Sequence, residues 1–113
     1  MTNYSRGYSF EQKIAGALVQ DGYWCIQARG SHGIADVVAL KPGQVLMVQA
    51  KTDGAISIAE WNRLLEVATA VGAVPLLAYR PRRGVIAYWH LQEPRVARRP
   101  PVYAQWTPDE VSV

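Results

Sequence analysis

Two short apolar runs in the middle of the chain constrain its fold most strongly. Residues 37–40 and 45–48 are apolar at every position, and Pro42 and Gly43 lie between them. Strands that are apolar on both faces belong at the centre of a sheet whose two sides are covered. We therefore predict two adjacent central strands, over residues 35–41 and 45–52, that form a hairpin through the Pro-Gly turn.

The segment before this hairpin has the pattern of a helix followed by a strand. Phe10, Ile14 and Leu18 recur at intervals of four residues, which gives the helix one apolar stripe. The helix should begin near Ser5 or Ser9 and end near residue 20. Residues 23–28, rich in aromatic and β-branched side chains, predict the first strand.

The segment after the hairpin predicts a second helix and the rest of a sheet. Ser57 and Glu60 have the spacing of a capping box, so a helix should run from there to about residue 71. Strands are predicted over residues 74–79 and 85–90, with a short one near residues 103–107. Three strands in succession without a helix exclude a doubly wound fold. The expected class is an α/β sandwich with a mixed central sheet of five strands flanked by helices.

Length and composition predict one domain over residues 1–113, with 93–113 as an extended C-terminal segment. No apolar run approaches the roughly 20 residues of a membrane span, so no membrane partner is expected. The N-terminus lacks the apolar core of a secretory signal. Cys25 is the single cysteine and cannot form an internal disulfide, which favours a small core residue in a reducing cytoplasm.

The basic residues are unevenly distributed along the chain. Net charge is only +3, yet half of the twelve basic residues are arginines within residues 80–99. They are Arg80, Arg82, Arg83, Arg95, Arg98 and Arg99. Arginine suits paired contacts with phosphate, so a polyanionic partner is one interpretation and a solvated basic surface is the other. For the segment that contains Arg95, Arg98 and Arg99 we favour DNA.

The hairpin register brings three polar residues together. A turn at Pro42 and Gly43 places Asp36 opposite Gln49, and Lys51 lies on the same face as Gln49. A bulge would shift this register by one residue and remove the pairing. A carboxylate with neighbouring oxygens can hold Mg²⁺, which activates water for phosphodiester hydrolysis, and a lysine can stabilise the developing charge. The alternative is a buried Asp–Lys ion pair bridged by glutamine.

Several weak motifs in register resemble the archaeal-type Holliday junction resolvases of the PD-(D/E)XK nuclease superfamily. The resemblance covers residues 4–80 and rests on residues 6–11 (RGYSFE), 22–24 (GYW), 29–33 (RGSHG), 35–39 (ADVVA) and 48–51 (VQAK). It implies a restriction-endonuclease-like fold. It also implies an endodeoxyribonuclease, dependent on Mg²⁺ or Mn²⁺, that resolves four-way DNA junctions by paired symmetric cleavage during recombination and repair.

The resemblance also implies roles for individual residues. The catalytic set would be Glu11, Ser31, Asp36, Gln49 and Lys51. The metal ligands would be Glu11, Asp36, Gln49 and the backbone of Ala50. The DNA-binding residues would be Arg6 and Arg29. The charge distribution adds Arg80, Arg82 and Arg83 from the basic turn as DNA-binding candidates. The loop residue His32 is a further candidate, although an ordinary surface role is favoured for it. Because the family usually has Glu where this chain has Gln49, a weaker metal site is expected.

A homodimer is expected, since resolvases of this type resemble twofold dimers that cut two opposing strands. Tyr88, Trp89 and Trp106 are candidates for the dimer surface, or they complete the core. Two other functions remain open at this point. One is a DNA-binding module with weakened or lost catalysis, and the other is a nuclease of the same fold that cuts flaps, duplexes or single strands.

Overall fold

A computed structural model describes residues 3–28 and 33–108, with side chains described from residue 9 onward. The elements are α1 (Asn3–Gln20), β1 (Trp24–Gln27), β2 (Val37–Lys41), β3 (Gln44–Ala50), α2 (Ile58–Val71), β4 (Val74–Tyr79), β5 (Ala87–Leu91) and β6 (Tyr103–Trp106). The prediction of a mixed sheet flanked by helices is confirmed. Among the described residues, no helix is long and apolar enough to cross a membrane.

The sheet has six strands in the order of the chain, from β1 to β6. β3 and β4 are parallel, with α2 as the connection between them, and the other neighbouring pairs are antiparallel. The predicted number of five strands is too small by one. Tyr103 pairs with Leu91, so the short C-terminal strand extends the sheet beyond β5.

A helix packs on each face of the sheet, which explains the two-sided apolar pattern of the central strands. Leu46 and Val48 of β3 belong to the core that contains Phe10, Ile14 and Leu18 of α1. Met47 packs instead against the second core, which contains Trp61 and Leu64 of α2. Alternate residues of one strand therefore serve two cores, as expected for a strand with a side-chain period of two.

The second helix begins as the sequence predicts. The Ser57 hydroxyl accepts the backbone N–H of Glu60 at 3.1 Å, and the Glu60 carboxylate accepts the N–H of Ser57 at 3.3 Å. Both halves of the capping box are present. Gly72 ends the helix with φ of 76°, a left-handed conformation that glycine adopts without a steric penalty.

The C-terminal segment crosses over α2, and this changes the interpretation of Arg95. The Arg95 guanidinium donates to the carbonyl of Ile56 at 3.0 Å and lies 5.5 Å from the centre of the Trp61 ring. Its backbone N–H donates to the side chain of Asn62. The head group is therefore bound within the fold, which favours a structural role for Arg95, and the DNA contact stays a prediction. Arg98 and Arg99 are exposed.

The three aromatic candidates for a dimer surface have different positions. Tyr88 and Trp106 are 4% and 7% exposed, pack edge to face and belong to the α1 core. They complete the core and cannot form an interface. Trp89 is half-buried and stacks on Tyr103 with the ring centres 4.0 Å apart.

Candidate active site

A bulge at Asp36 decides the geometry of the candidate site. The predicted hairpin register is present, with Lys41 opposite Gln44 and Val37 opposite Val48. Continued regularly, it would place Asp36 opposite Gln49. Instead the Asp36 N–H donates to the carbonyl of Val48 at 2.8 Å, so two consecutive residues of one strand oppose a single residue of the other. The predicted pairing of Asp36 with Gln49 on one face is therefore wrong.

The bulge places the Asp36 carboxylate beside the main chain at the end of β3. Its Oδ2 atom accepts the backbone N–H of Ala50 at 2.8 Å. The N–H and C=O of one strand residue point to the same side, so the Ala50 carbonyl also points toward Asp36. A carboxylate oxygen and a carbonyl oxygen thus lie at the same edge of the strand.

Glu11 reaches this place from α1. It is half-buried and its carboxyl group hydrogen bonds to Asp36. The pKa of Glu11 is raised to about 7, first by burial and then by the charge and the hydrogen bond of Asp36. Glu11 therefore keeps its proton up to nearly neutral pH, at a place where a cation could replace that proton. The structure brings together Glu11, Asp36 and Ala50, as the sequence predicts.

Gln49 and Lys51 approach the end of β3 from the other side of the sheet. Gln49 is buried and pairs with Leu77, which belongs to the α2 core. Lys51 forms an ion pair with Glu60 at the start of α2, with Nζ and Oε2 3.0 Å apart. The candidate site therefore has residues on both faces of the sheet at the C-terminal end of β3. This corrects the prediction that Asp36, Gln49 and Lys51 share one face.

Glu60 is a site residue that sequence reasoning missed. Its spacing from Ser57 identified it only as a capping residue, and its distance from Lys51 depends on how α2 docks. Burial opposes ionisation of Glu60, but hydrogen bonds from Lys51 and Ser57 outweigh it and lower the pKa. The carboxylate is thus held in its charged form by two neighbours.

A small cavity lined by two cationic side chains lies on the face of α1 that carries Phe10. The Arg80 guanidinium lies 5.4 Å from the centre of the Phe10 ring, one residue before Glu11. Arg80, Phe10 and Lys13 line a cavity of about 240 Å³ together with residues 84–86. Lys13 was not predicted, although its spacing of three from Phe10 places the two residues on one helix face.

The other residues predicted to bind DNA are exposed or lie outside the described part of the chain. Arg82 and Arg83 are exposed in the turn between β4 and β5. The Arg6 side chain and all of Arg29, Ser31 and His32 lie outside what the structure describes, so their roles stay predictions.

The acidic groups present set a limit on the metal site. Within residues 3–28 and 33–108 no cluster of three His, Cys, Asp or Glu side chains could hold a metal ion. Any cation at this place would rely on two carboxylates supplemented by backbone or amide oxygens. The weaker metal site expected from Gln49 stays a prediction.

Comparisons with known proteins agree with the sequence resemblance. The model of the archaeal Holliday junction resolvase family, Hjc, matches residues 2–100. The chain is 30% identical over 81 residues to the crossover junction endodeoxyribonuclease Hjc of Methanocaldococcus jannaschii, which covers 68% of this chain. That alignment spans 60% of the relative, so the chain matches less than two thirds of the relative's length.

The fold is also similar to a solved structure. The structure of Hjc from Archaeoglobus fulgidus, a Holliday junction resolvase, aligns with a TM-score of 0.67 and 20% identity. The alignment covers 77% of this chain and 81% of that chain, and at this identity it supports the fold alone. Together with the family match, it leads to one assignment. This chain belongs to the archaeal Holliday junction resolvase family.

Proposed function

We propose that this protein is a Mg²⁺-dependent endodeoxyribonuclease that resolves four-way DNA junctions by paired, symmetric phosphodiester cleavage. The observation that carries the proposal is the contact between the Glu11 and Asp36 carboxyl groups beside the backbone of Ala50. Lys51 directly follows this backbone position. The membership of the chain in a resolvase family supports branched DNA as the substrate.

The oxygen atoms at this place fit a hard divalent cation. Carboxylate and carbonyl oxygens are the ligands that Mg²⁺ takes, and Mn²⁺ accepts the same set. We propose Glu11, Asp36 and the Ala50 carbonyl as the ligands, with the amide oxygen of Gln49 as a further candidate. When bound, the cation would supply Lewis acidity and lower the pKa of a coordinated water molecule.

The cationic side chains around the carboxylates suit the substrate. Lys51 would orient the attacking water or stabilise charge on the phosphate as it develops. Arg80 and Lys13 line the neighbouring cavity and would hold an adjacent phosphate of the same strand. Arg82 and Arg83, exposed beyond Arg80, would bind the backbone further away.

Asp36→Asn tests the proposal. The substitution keeps the size of the side chain and removes one charge, so we expect loss of Mg²⁺-dependent cleavage with junction binding largely retained. A single gel should compare a mobile four-way junction, a flap and a linear duplex, in Mg²⁺ and in Mn²⁺. Symmetric nicks restricted to the junction support resolution. Equal cutting of linear duplex would assign a less selective nuclease of this fold.

A second candidate is a junction-binding protein without catalysis. It is favoured by Gln49, which places a neutral amide where the family usually has a carboxylate, and no cluster of three metal-ligating side chains is found in the described part of the chain. Wild-type protein that binds junctions with strong salt dependence, and cuts nothing in either metal, would select it.

We further propose a homodimer as the active species. Trp24 and Ile26 are 62% and 48% exposed on β1, which lies at the edge of the sheet. Exposed apolar side chains on an edge strand suit pairing with a second copy of the chain. Sedimentation equilibrium should give twice the chain mass, and Trp24→Ser should shift it to the monomer. Val71→Ser, at an equally exposed apolar position, is the control.

The cytoplasm is the compartment that we propose. Cys25 is a free thiol, and a free thiol suits a reducing environment.

A further inference from the structure

Lys51 is held both through its backbone and through its side-chain ammonium. Its backbone N–H donates to the carbonyl of Ala78 at 3.0 Å, which ties it to β4, and its carbonyl accepts the N–H of Gly54 at 2.8 Å. At the other end the ammonium lies 3.0 Å from the Glu60 carboxylate. The Lys51 side chain is 30% exposed, so it remains accessible to a ligand at the C-terminal end of β3. Exposed ion pairs contribute little to stability, so this pair calls for another explanation.

Glu60 is tied to the first turn of α2 by its capping contact. One carboxylate oxygen, Oε1, accepts the N–H of Ser57 and the other, Oε2, faces Lys51. The first turn of α2 therefore holds the carboxylate in one orientation, and no long flexible chain remains between the helix and the ammonium. A surface glutamate that lacked the capping contact would lose more side-chain entropy in the same pair.

The segment between Lys51 and α2 is also well supported. The N–H of Arg80 donates to the carbonyl of Thr52 at 3.1 Å, and Asp53 accepts the N–H of Ala55 at 2.9 Å. The Ile56 carbonyl accepts the Arg95 guanidinium. These bonds fix the start of α2 relative to the end of β3, and hence fix Glu60 relative to Lys51.

We propose that Glu60 is a positioning residue, which holds the Lys51 ammonium at the end of β3 in the orientation that phosphodiester cleavage requires. This inference rests on the proposed nuclease function. Glu60 would act only through Lys51, with no contact to DNA or to a cation. The capping box would then have two roles, since it starts α2 and also aims the lysine.

Glu60→Gln separates these two roles. Glutamine also completes a capping box at this position, so the helix should keep its start. The charge that attracts Lys51 is lost. Glu66→Gln is the matched control, because it makes the same substitution at an exposed position of the same helix. Urea unfolding should give both variants the stability of the wild type.

The first readout is the position of the lysine and needs no cleavage. The chain has three lysines, Lys13, Lys41 and Lys51, so mass spectrometry can follow reductive methylation of each. Loss of the Glu60 charge should raise the labelling rate of Lys51 severalfold relative to Lys13 and Lys41. Unchanged labelling of Lys51 would overturn the proposal, including in a protein that turns out not to cut DNA.

The second readout is single-turnover cleavage of a four-way junction. Misplacement of a catalytic group by about 1 Å can cost on the order of 100-fold in rate, so we expect Glu60→Gln to lose roughly 10- to 100-fold. Junction affinity should stay at the wild-type value. Cleavage by Glu60→Gln at the wild-type rate would refute the role in catalysis.

A double substitution distinguishes action through Lys51 from any other effect. If Glu60 acts only through the lysine, Glu60→Gln should lower the rate no further in a Lys51→Ala background. A further loss of the same factor would overturn the proposal. A wild-type protein that does not cut would count against the proposed function, and the labelling result alone would then decide the positioning role.

Discussion

Removal of the Glu11 carboxyl should make the metal-free protein more stable at alkaline pH. The pKa of Glu11 rises from 4.5 to about 7, so the folded protein keeps a proton that the unfolded chain releases. The stability that the protonated Glu11 carboxyl contributes is fully present below pH 4.5 and is lost as the pH rises through about 7. Glutamine does not titrate, and it donates a hydrogen bond to Asp36 at every pH.

The size of the effect follows from the same shift. Moving a carboxyl pKa from 4.5 to about 7 corresponds to at most about 3 kcal/mol. Glu11 is only half-buried, so solvent screening reduces this value, and we expect about 1 kcal/mol. At pH 5 the wild type and Glu11→Gln should have nearly the same free energy of unfolding.

Urea unfolding in EDTA at pH 5 and at pH 8 measures this difference. With a typical slope of about 2 kcal/mol per molar urea, the midpoint of Glu11→Gln should exceed that of the wild type by about 0.5 M at pH 8. The control variant Glu66→Gln, at an exposed position, should have the same urea midpoint as the wild type at pH 5 and at pH 8. Parallel pH dependence of the wild type and Glu11→Gln would refute the raised pKa of Glu11.

Two further predictions concern Gln49 and Arg95. Gln49→Glu should lower the Mg²⁺ concentration for half-maximal cleavage roughly tenfold, because affinity rises with the number of charged ligands; an unchanged Mg²⁺ titration would remove Gln49 from the metal site. Arg95→Ala should cost about 2 kcal/mol in urea unfolding, since the bond to Ile56 and the contact with Trp61 are lost, while junction affinity stays constant. Arg63→Ala, at an exposed position of α2, is the control, and a loss of junction affinity in Arg95→Ala alone would contradict the structural role.

The strands and helices could be predicted because their patterns are local. The apolar residues 37–40 and 45–48 serve two cores, and this can be read directly from the order of residues. The capping box of Ser57 and Glu60 lies within one helical turn. A short strand near residues 103–107 was predicted but not counted in the sheet, because its pairing with β5 depends on the path of the preceding segment.

The candidate site was predicted in its members but not in its geometry. Asp36 was identified, yet nothing in the sequence around it signals the bulge that turns its carboxylate toward Ala50 and Glu11. The pairing of Lys51 with Glu60 depends on how α2 docks on the sheet, which residue spacing does not encode. Arg95 carries the composition of a DNA-binding segment, and only the contact with Ile56 identifies it as structural.

The order of the strands has a consequence for how the protein folds. Each strand pairs with the next one in the chain, and β3 and β4 are joined across the whole length of α2. Closing that long connection costs more chain entropy than forming a hairpin, so we expect β3 and β4 to pair after the flanking hairpins have formed. Lys51 follows β3 and Glu60 lies in α2, so both belong to this connection. A partly folded chain, with hairpins but no closed crossover, would therefore lack the ion pair between Lys51 and Glu60, so the proposed active site would be completed only in the last step of folding.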